Sequence, residues 1–177
     1  MTPTIPQERN PVLRAAADRT GQFGQALVFR MPGAALQRFA IGVSAKQLMG
    51  VQPAEAFPPW PSAPPRWLGV TQWNGKQAPV IDLAACFNLG SSDYRSARRL
   101  VFLRSPKRGV ILATPAMGDV AQVEHTAGVF PAEGHLHLTR DYIRGVFTYG
   151  SELLIVPDLD AIWDKVLHPA ASAVRSA

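Results

Sequence analysis

The sequence predicts an all-β chain made of two pseudo-symmetric copies of one small β-barrel unit. Short helices are expected only after a capping aspartate in each copy and at the C-terminus. Three observations carry this expectation. First, Gly69–Phe87 (GVTQWNGKQAPVIDLAACF) is echoed without a gap by Gly145–Trp163 (GVFTYGSELLIVPDLDAIW), at a constant spacing of 76 residues from Gly69 to Gly145. Both stretches hold Gly-Val, an aromatic (Trp73, Tyr149), a valine (Val80, Val156), Asp-Leu, an alanine (Ala85, Ala161) and a closing aromatic (Phe87, Trp163). So long a period denotes two copies of one supersecondary unit, because a solenoid needs three or more stacked repeats. Second, an LVF triplet precedes a further apolar run in each copy: Leu27–Phe29 before Phe39–Val43, and Leu100–Phe102 before Val110–Ala113. Third, short apolar runs alternate with turn signals along most of the chain, which is the pattern of small closed barrels.

The elements follow in order. Residues 1–24 read as a tail with one marginal helix, capped by Asn10, begun by Pro11 and ended by Gly21. Residues 25–168 read as one domain, with internal copies at about 25–90 and 98–167, followed by a small-residue tail at 169–177. Ala26–Met31 and Arg38–Val43 are expected to be strands joined at Pro32-Gly33. Ser44–Val51 leads into a proline-rich connection, Pro53–Pro65, which excludes a central strand. Trp67–Thr71 and Gln77–Ile81 form a hairpin around Trp73-Asn74-Gly75-Lys76, since Asn-Gly accepts positive φ at both central positions. Asp82 can accept the free N–H groups of a short helix over LAACF. The second copy repeats this grammar. Strands are expected at Leu100–Arg104, Gly109–Thr114, Val120–Glu124, Tyr142–Tyr149 and Glu152–Val156, and Asp158 caps a helix running towards Leu167 and stopped by Pro169.

Composition narrows the function classes. Hydrophobic residues are 47% and charged residues 18% of the 177, which suits a soluble globular chain. The single cysteine, Cys86, excludes an internal disulfide and sits among apolar neighbours as a buried thiol would. The charged N-terminus lacks the apolar core of a signal peptide, and no apolar run approaches a bilayer span, so a cytoplasmic protein without membrane insertion is expected. The net charge of +5 concentrates in Arg95, Arg98, Arg99, Arg104, Lys107 and Arg108. Such a stretch could follow phosphates, and a small-barrel nucleic-acid binder is the alternative reading. Nucleic-acid sites interleave exposed aromatics with the basic residues, however, and only Tyr94 and Phe102 lie nearby. A solvated strand edge explains the charges more simply.

Catalytic chemistry finds little support. Asp82 and Asp158 recur where each copy needs a helix cap, so they read as structural acids. Glu133, His135 and His137 alternate as zinc ligands on one strand face would, but no fourth ligand is visible. His125 and His168 are isolated. There is no phosphate-cradling glycine loop, nucleophile elbow or cysteine-pair zinc signature. No enzyme, cofactor or metal is expected. The chain reads as a binding module.

APPRWLGVTQWNGKQAPVIDLAACFNLG resembles the signature region of the CheW-like chemotaxis coupling proteins. Members show a proline-rich approach, a Gly-Val strand, an Asn-x-Arg-Gly turn, then Pro-Val-Ile-Asp-Leu and a short helix. The LVF opening, RRLVFLR in mid-chain and the C-terminal GV…ELLIVPDLDAIW fit the same order, so the resemblance spans about Gln25 to Leu167. It implies two pseudo-symmetric five-stranded barrels. It also implies a non-catalytic adaptor joining a histidine kinase regulatory domain to the cytoplasmic tip of a chemoreceptor, as in chemotaxis or a pilus-linked chemosensory system. Three positions depart from the family pattern. Asn74 stands where members carry the turn arginine, Leu48 (in Lys46-Gln47-Leu48-Met49) stands at an acidic position, and Thr114 replaces a common aspartate. An asparagine lacks the charged bidentate fork of arginine. Trp73, Asn74, Gly75, Lys46 and Leu48 are therefore the expected partner-binding residues. The Trp73 ring has two possible placements: an anchor exposed on the turn, or a ring folded back on the hairpin.

Overall fold

A computed structural model of the chain describes residues 26–54, 66–123, 130–131, 138 and 140–167. The expected N-terminal helix, most of the proline-rich connection, all four histidines with Glu133, and the C-terminal tail lie outside these residues. The described elements are β1 (Ala26–Arg30), β2 (Phe39–Ser44), β3 (Leu48–Pro53), β4 (Trp67–Trp73), β5 (Lys76–Ile81) and α1 (Leu83–Cys86). They continue with β6 (Arg99–Arg104), β7 (Ile111–Val123), β8 (Phe130–Pro131), β9 (Ile143–Tyr149), β10 (Glu152–Pro157) and α2 (Leu159–Ile162). The final helix runs on into a π-helical turn, Trp163–Leu167.

The strands form one continuous sheet of order β3-β6-β7-β1-β2-β10-β9-β8, with β5 added to β7 and β4 to β5. Two lobes result. Lobe I holds β3, β6, the first half of β7, β5 and β4; lobe II holds the second half of β7, β1, β2, β10, β9 and β8. The mostly-β expectation holds; among the described residues the sheet does not close on itself, so the small closed barrels are not confirmed. Where two strands were expected, at Gly109–Thr114 and Val120–Glu124, β7 runs through as a single strand. Gly118, at φ 70°, lies where the ladder passes from β6 to β1. The sheet therefore continues from lobe to lobe instead of turning back to close either one. β3 is a strand the sequence reading missed, because Gly50 and Pro53 weaken its β signal; it ends the strand order, where a proline is tolerated.

The sequence repeat does not map one copy to one lobe. β3 of the first copy pairs with β6 of the second, while the second half of β7 pairs back with β1 of the first. The parallel pairs also join the copies, β2 with β10 (Ile41↔Ile155) and β5 with β7 (Val80↔Ala113). Each lobe thus takes strands from both copies.

Side-chain alternation shows why. Val28, Ala40, Leu154 and Val156 fill lobe II, whereas Phe29, Ile41 and Ile155 on the same strands point into a central core. Likewise Val80, Leu100 and Phe102 fill lobe I, while Ile81, Val101 and Leu103 join Phe29 and Ile41 in that central core. Apolar runs such as LVF and LLIV are continuous because both strand faces are buried. Val80 and Val156 occupy equivalent interior positions at 0% and 5% exposure.

The repeat is sharpest at the helix starts. Asp82 caps α1, accepting hydrogen bonds from Ala84 N–H (3.1 Å) and Ala85 N–H (3.4 Å); Asp158 caps α2, accepting from Ala161 N–H (3.0 Å). Asp82 N–H donates to Arg66 O (2.9 Å), and Asp158 N–H donates to Tyr142 O (2.8 Å), the same bond in each copy. Arg66 and Tyr142 also meet, the guanidinium carbon 5.2 Å from the ring centroid. The caps differ in one respect. Asp82 is buried and its second oxygen accepts Ser92 N–H at 2.9 Å, whereas that of Asp158 faces Arg144 at 3.5 Å. Loss of a capping oxygen costs about 0.5–2 kcal/mol. Urea titration of the two alanine variants is expected to place Asp82→Ala near the top of that range and Asp158→Ala below it, because only the former strands a third amide. Equal costs would show that the Ser92 bond contributes nothing.

Candidate protein-interaction site

The β4–β5 hairpin has the turn that Asn-Gly dictates. Trp73 pairs with Lys76, and Asn74 (φ 49°) and Gly75 (φ 76°) both take positive φ between them. Asn74, Gly75, Lys76 and Gln77 are exposed at the tip. Trp73 is not exposed on the turn, and its ring turns inward across the lobe, onto β6 and β3, instead of lying back on its own hairpin. Its half-buried ring stacks on Phe102, centroids 4.4 Å apart, and joins the lobe I interior with Val80 and Leu100. The far end of the indole lies against Gly50 of β3 and leaves no room there for a Cβ. A side-chain contact, not a ladder, thus joins the hairpin to β3.

The other expected site residues lie at the start of β3. Gln47 N–H donates to Ser44 O (2.9 Å) and its side-chain oxygen accepts Ser44 N–H (3.0 Å), closing the β2–β3 turn. Lys46 is exposed on that turn. Leu48 is half-buried and packs against the central core, and Thr114 is buried at 1%, so both departures from the family's acids serve packing. Through Trp73 and Gly50 the structure brings the hairpin to the same strand that Leu48 begins. The surface offered by Lys46, Asn74 and Gly75 is polar and carries no nucleophile–base pair.

The basic stretch is dispersed. Arg99 pairs with Asp119 (3.5 Å), Arg108 reaches both oxygens of Asp164 (3.1 and 3.2 Å), and Phe102 is fully buried. The sequence reading missed the acid that organises this end. Asp160 is 7% exposed and accepts hydrogen bonds from Ser105 Oγ, Lys107 N–H (2.9 Å) and the Arg144 guanidinium (3.2 Å). Burial opposes its charge, but these hydrogen bonds, a further amide from Arg108 and the positive Arg144 outweigh it and hold the carboxyl below its usual range. The network ties the β6–β7 turn to α2 beside an open cleft of about 460 Å³. Its signal in the sequence is the repeat itself, since Asp160 stands where the first copy has Ala84. Burial pushes the Cys86 thiol up to about 12, which leaves it unreactive. Among the described residues no three His, Cys, Asp or Glu side chains are grouped to hold a metal, and no helix is long and apolar enough to cross a membrane.

Comparison with known proteins agrees with this architecture. Residues 25–166 match the CheW-like domain family. A probable chemotaxis protein CheW from Rhizobium etli is 27% identical over 137 residues, covering 76% of this chain and 86% of the relative. The crystal structure of the scaffolding protein TtCheW from Thermoanaerobacter tengcongensis superposes with a TM-score of 0.60 at 15% identity, covering 78% of this chain and 88% of that one.

The Asp160 network makes acid stability testable. A carboxyl with a lowered native pKa stabilises the fold fully above its unfolded value, about 3.9. That contribution is lost as the pH falls through the lower native value. Asp160→Asn is expected to cost ~3 kcal/mol at neutral pH, because Arg144 and the turn lose a buried charged partner. Stability measured from pH 7 to pH 2 is expected to fall less steeply below pH ~4 in the variant than in the native protein. Parallel acid limbs would show that Asp160 is not the titrating group.

Proposed function

Because the chain belongs to the CheW-like domain family, we propose that it is a non-catalytic chemosensory adaptor working in the cytoplasm. In this reading it couples chemoreceptors to a cytoplasmic histidine kinase through protein–protein contacts alone, without a cofactor. The observation that carries the proposal is the family match over residues 25–166, which takes in both lobes. The kinase regulatory domain would meet lobe I at the hairpin tip and the β2–β3 turn, where Asn74, Gly75 and Lys46 are exposed. Trp73 and Leu48 would hold this surface from behind, through Phe102 and the central core. A chemoreceptor tip would be bound as a helix in an apolar groove. Asn74 replaces the family's charged fork with a neutral side chain, so this contact would rest on shape and hydrogen bonding. The nucleic-acid alternative has less support, because Phe102 is core and Arg99 and Arg108 have carboxylate partners.

Calorimetric titration against the regulatory domain of the cognate histidine kinase, and against the receptor tip, tests the proposal. The native chain is expected to bind both. Asn74→Gly, which removes the side chain and still accepts the positive φ of the turn, and Lys46→Glu, both at exposed positions, are expected to keep native stability and weaken kinase binding roughly tenfold, ~1.4 kcal/mol. Trp73→Ala is expected to lower stability by ~3 kcal/mol as well as binding, since the ring fills the lobe interior. Failure of the native chain to bind either partner would end the adaptor reading. Native affinity in both surface variants would place the contact elsewhere.

A further inference from the structure

Strand register brings four cations to one end of lobe I. Arg104 N–H donates to Gln47 O (2.7 Å) and Leu48 pairs with Leu103, so Lys46 lies beside the end of β6. Arg104 pairs with Ile111, and Lys107 stands in the turn between these two strands. The parallel pairing of Val80 with Ala113 sets β5 in step with β7, so the hairpin tip brings Lys76 to the same end. Lys46, Lys76, Arg104 and Lys107 are all exposed, and among the described residues none of them makes an ion pair. The acids that reach this turn are already engaged, Asp160 by Arg144 and Asp164 by Arg108. The Arg104 guanidinium lies along the turn that carries Lys107: a Cβ on Gly109 (φ 67°) would sit 3.4 Å from its Nη2. Ala54 and Arg66, which flank residues 55–65, lie at the opposite end of the lobe, where Ala54 N–H donates to Arg98 O and Arg66 O accepts Asp82 N–H.

We propose that this end of lobe I docks an acidic surface of the kinase regulatory domain, with Arg104 gripping a carboxylate and Lys46, Lys76 and Lys107 steering the approach. The inference rests on the adaptor reading and adds to it the chemistry of the partner's face. Asn74, on the hairpin tip, is neutral, so the charge for recognition comes from the residues around it. Four like charges gathered without an acid repel one another, and a facing set of carboxylates relieves that repulsion. Arginine's planar fork takes a carboxylate through two parallel hydrogen bonds, whereas the lysines act as point charges. Charges at the rim of an interface raise the association rate more than they slow dissociation. Nucleic acid is the other polyanion to weigh, but single-stranded sites stack bases on exposed aromatic rings. The rings beneath this end, Trp73 and Phe102, are stacked on each other inside the lobe. An acidic protein face is the better fit.

Stopped-flow kinetics of the full chain with the labelled regulatory domain of the cognate histidine kinase test it. Raising the salt from ~20 mM to ~500 mM is expected to slow association about tenfold or more and to change dissociation less than about threefold. Lys76→Glu and Lys107→Glu are each expected to slow association about threefold or more at low salt. Arg98→Glu removes the same charge from an exposed position at the opposite end of β6, and is expected to leave association within about twofold of native. Arg104→Lys keeps the charge and loses the fork, so dissociation is expected to speed up about fivefold with association unchanged. Association that ignores salt, equal slowing by Arg98→Glu and Lys107→Glu, or native dissociation in Arg104→Lys would overturn the inference and leave the adaptor reading standing. Displacement of the regulatory domain by an equimolar single-stranded oligonucleotide would overturn it too, and give this surface to nucleic acid. No binding of the native chain at any salt would end both readings.

Discussion

The strands at the centre of this molecule are buried on both faces, and the rest of the structure depends on that. β1 sends Val28 into lobe II and Phe29 into the central core; β6 sends Phe102 into lobe I and Val101 into the same central core. Burying each large apolar side chain is worth about 1.5–3 kcal/mol. A lobe detached from its neighbour would expose Phe29, Ile41 and Ile155, or Ile81, Val101 and Leu103. The central core therefore holds the lobes together as firmly as each lobe holds itself. Strand pairing between the copies gives the same union a backbone form, since β3 is paired only by β6, and β1 gains its second neighbour from β7.

Within this frame the copies have diverged in how they anchor their helices. The first buries its capping aspartate and satisfies it with three amides. The second leaves its cap half-buried beside Arg144 and adds Asp160, which reaches across to Ser105 and Lys107 in the β6–β7 turn. An alanine at the equivalent place in the first copy needs only packing, whereas a buried carboxylate needs every oxygen satisfied. The polar network thus fixes the turn that carries Lys107 and Arg108, which explains why this basic end lies against α2.

Much of this was legible in the sequence, for local reasons. The Asn-Gly turn, the aspartate caps and the repeat spacing each rest on short-range chemistry, and all appear where the residues place them. The resemblance to the CheW-like proteins also held, because its motifs coincide with these local features. What was not legible depends on long-range pairing. Nothing in LMGVQP announces a strand until β6 lies beside it, and no pattern in residues 111–123 says that the chain runs on through Gly118 instead of turning. Barrel closure is likewise a property of which edges meet, and here Trp73 rests on Gly50 where a ladder would be needed. Of the expected site, the exposure of Asn74, Gly75 and Lys46 followed from turn chemistry, while the inward ring of Trp73 required Phe102 across the lobe. Asp160 was hidden because two of its partners, Ser105 and Lys107, lie in a turn more than fifty residues earlier in the chain.

The two sequence copies depend on each other for their lobes, and separating them tests that most directly. Residues 1–97 and 98–177 would be produced as two fragments and examined by circular dichroism and urea titration, apart and then mixed. Neither fragment should show a cooperative unfolding transition alone, because each lacks the strands that complete its lobes and cover its share of the central core. Mixed in equal amounts, they should recover the β-sheet spectrum and a single cooperative transition. A cooperative transition in either fragment by itself would contradict the account, since it would mean that one copy can build a lobe without the other.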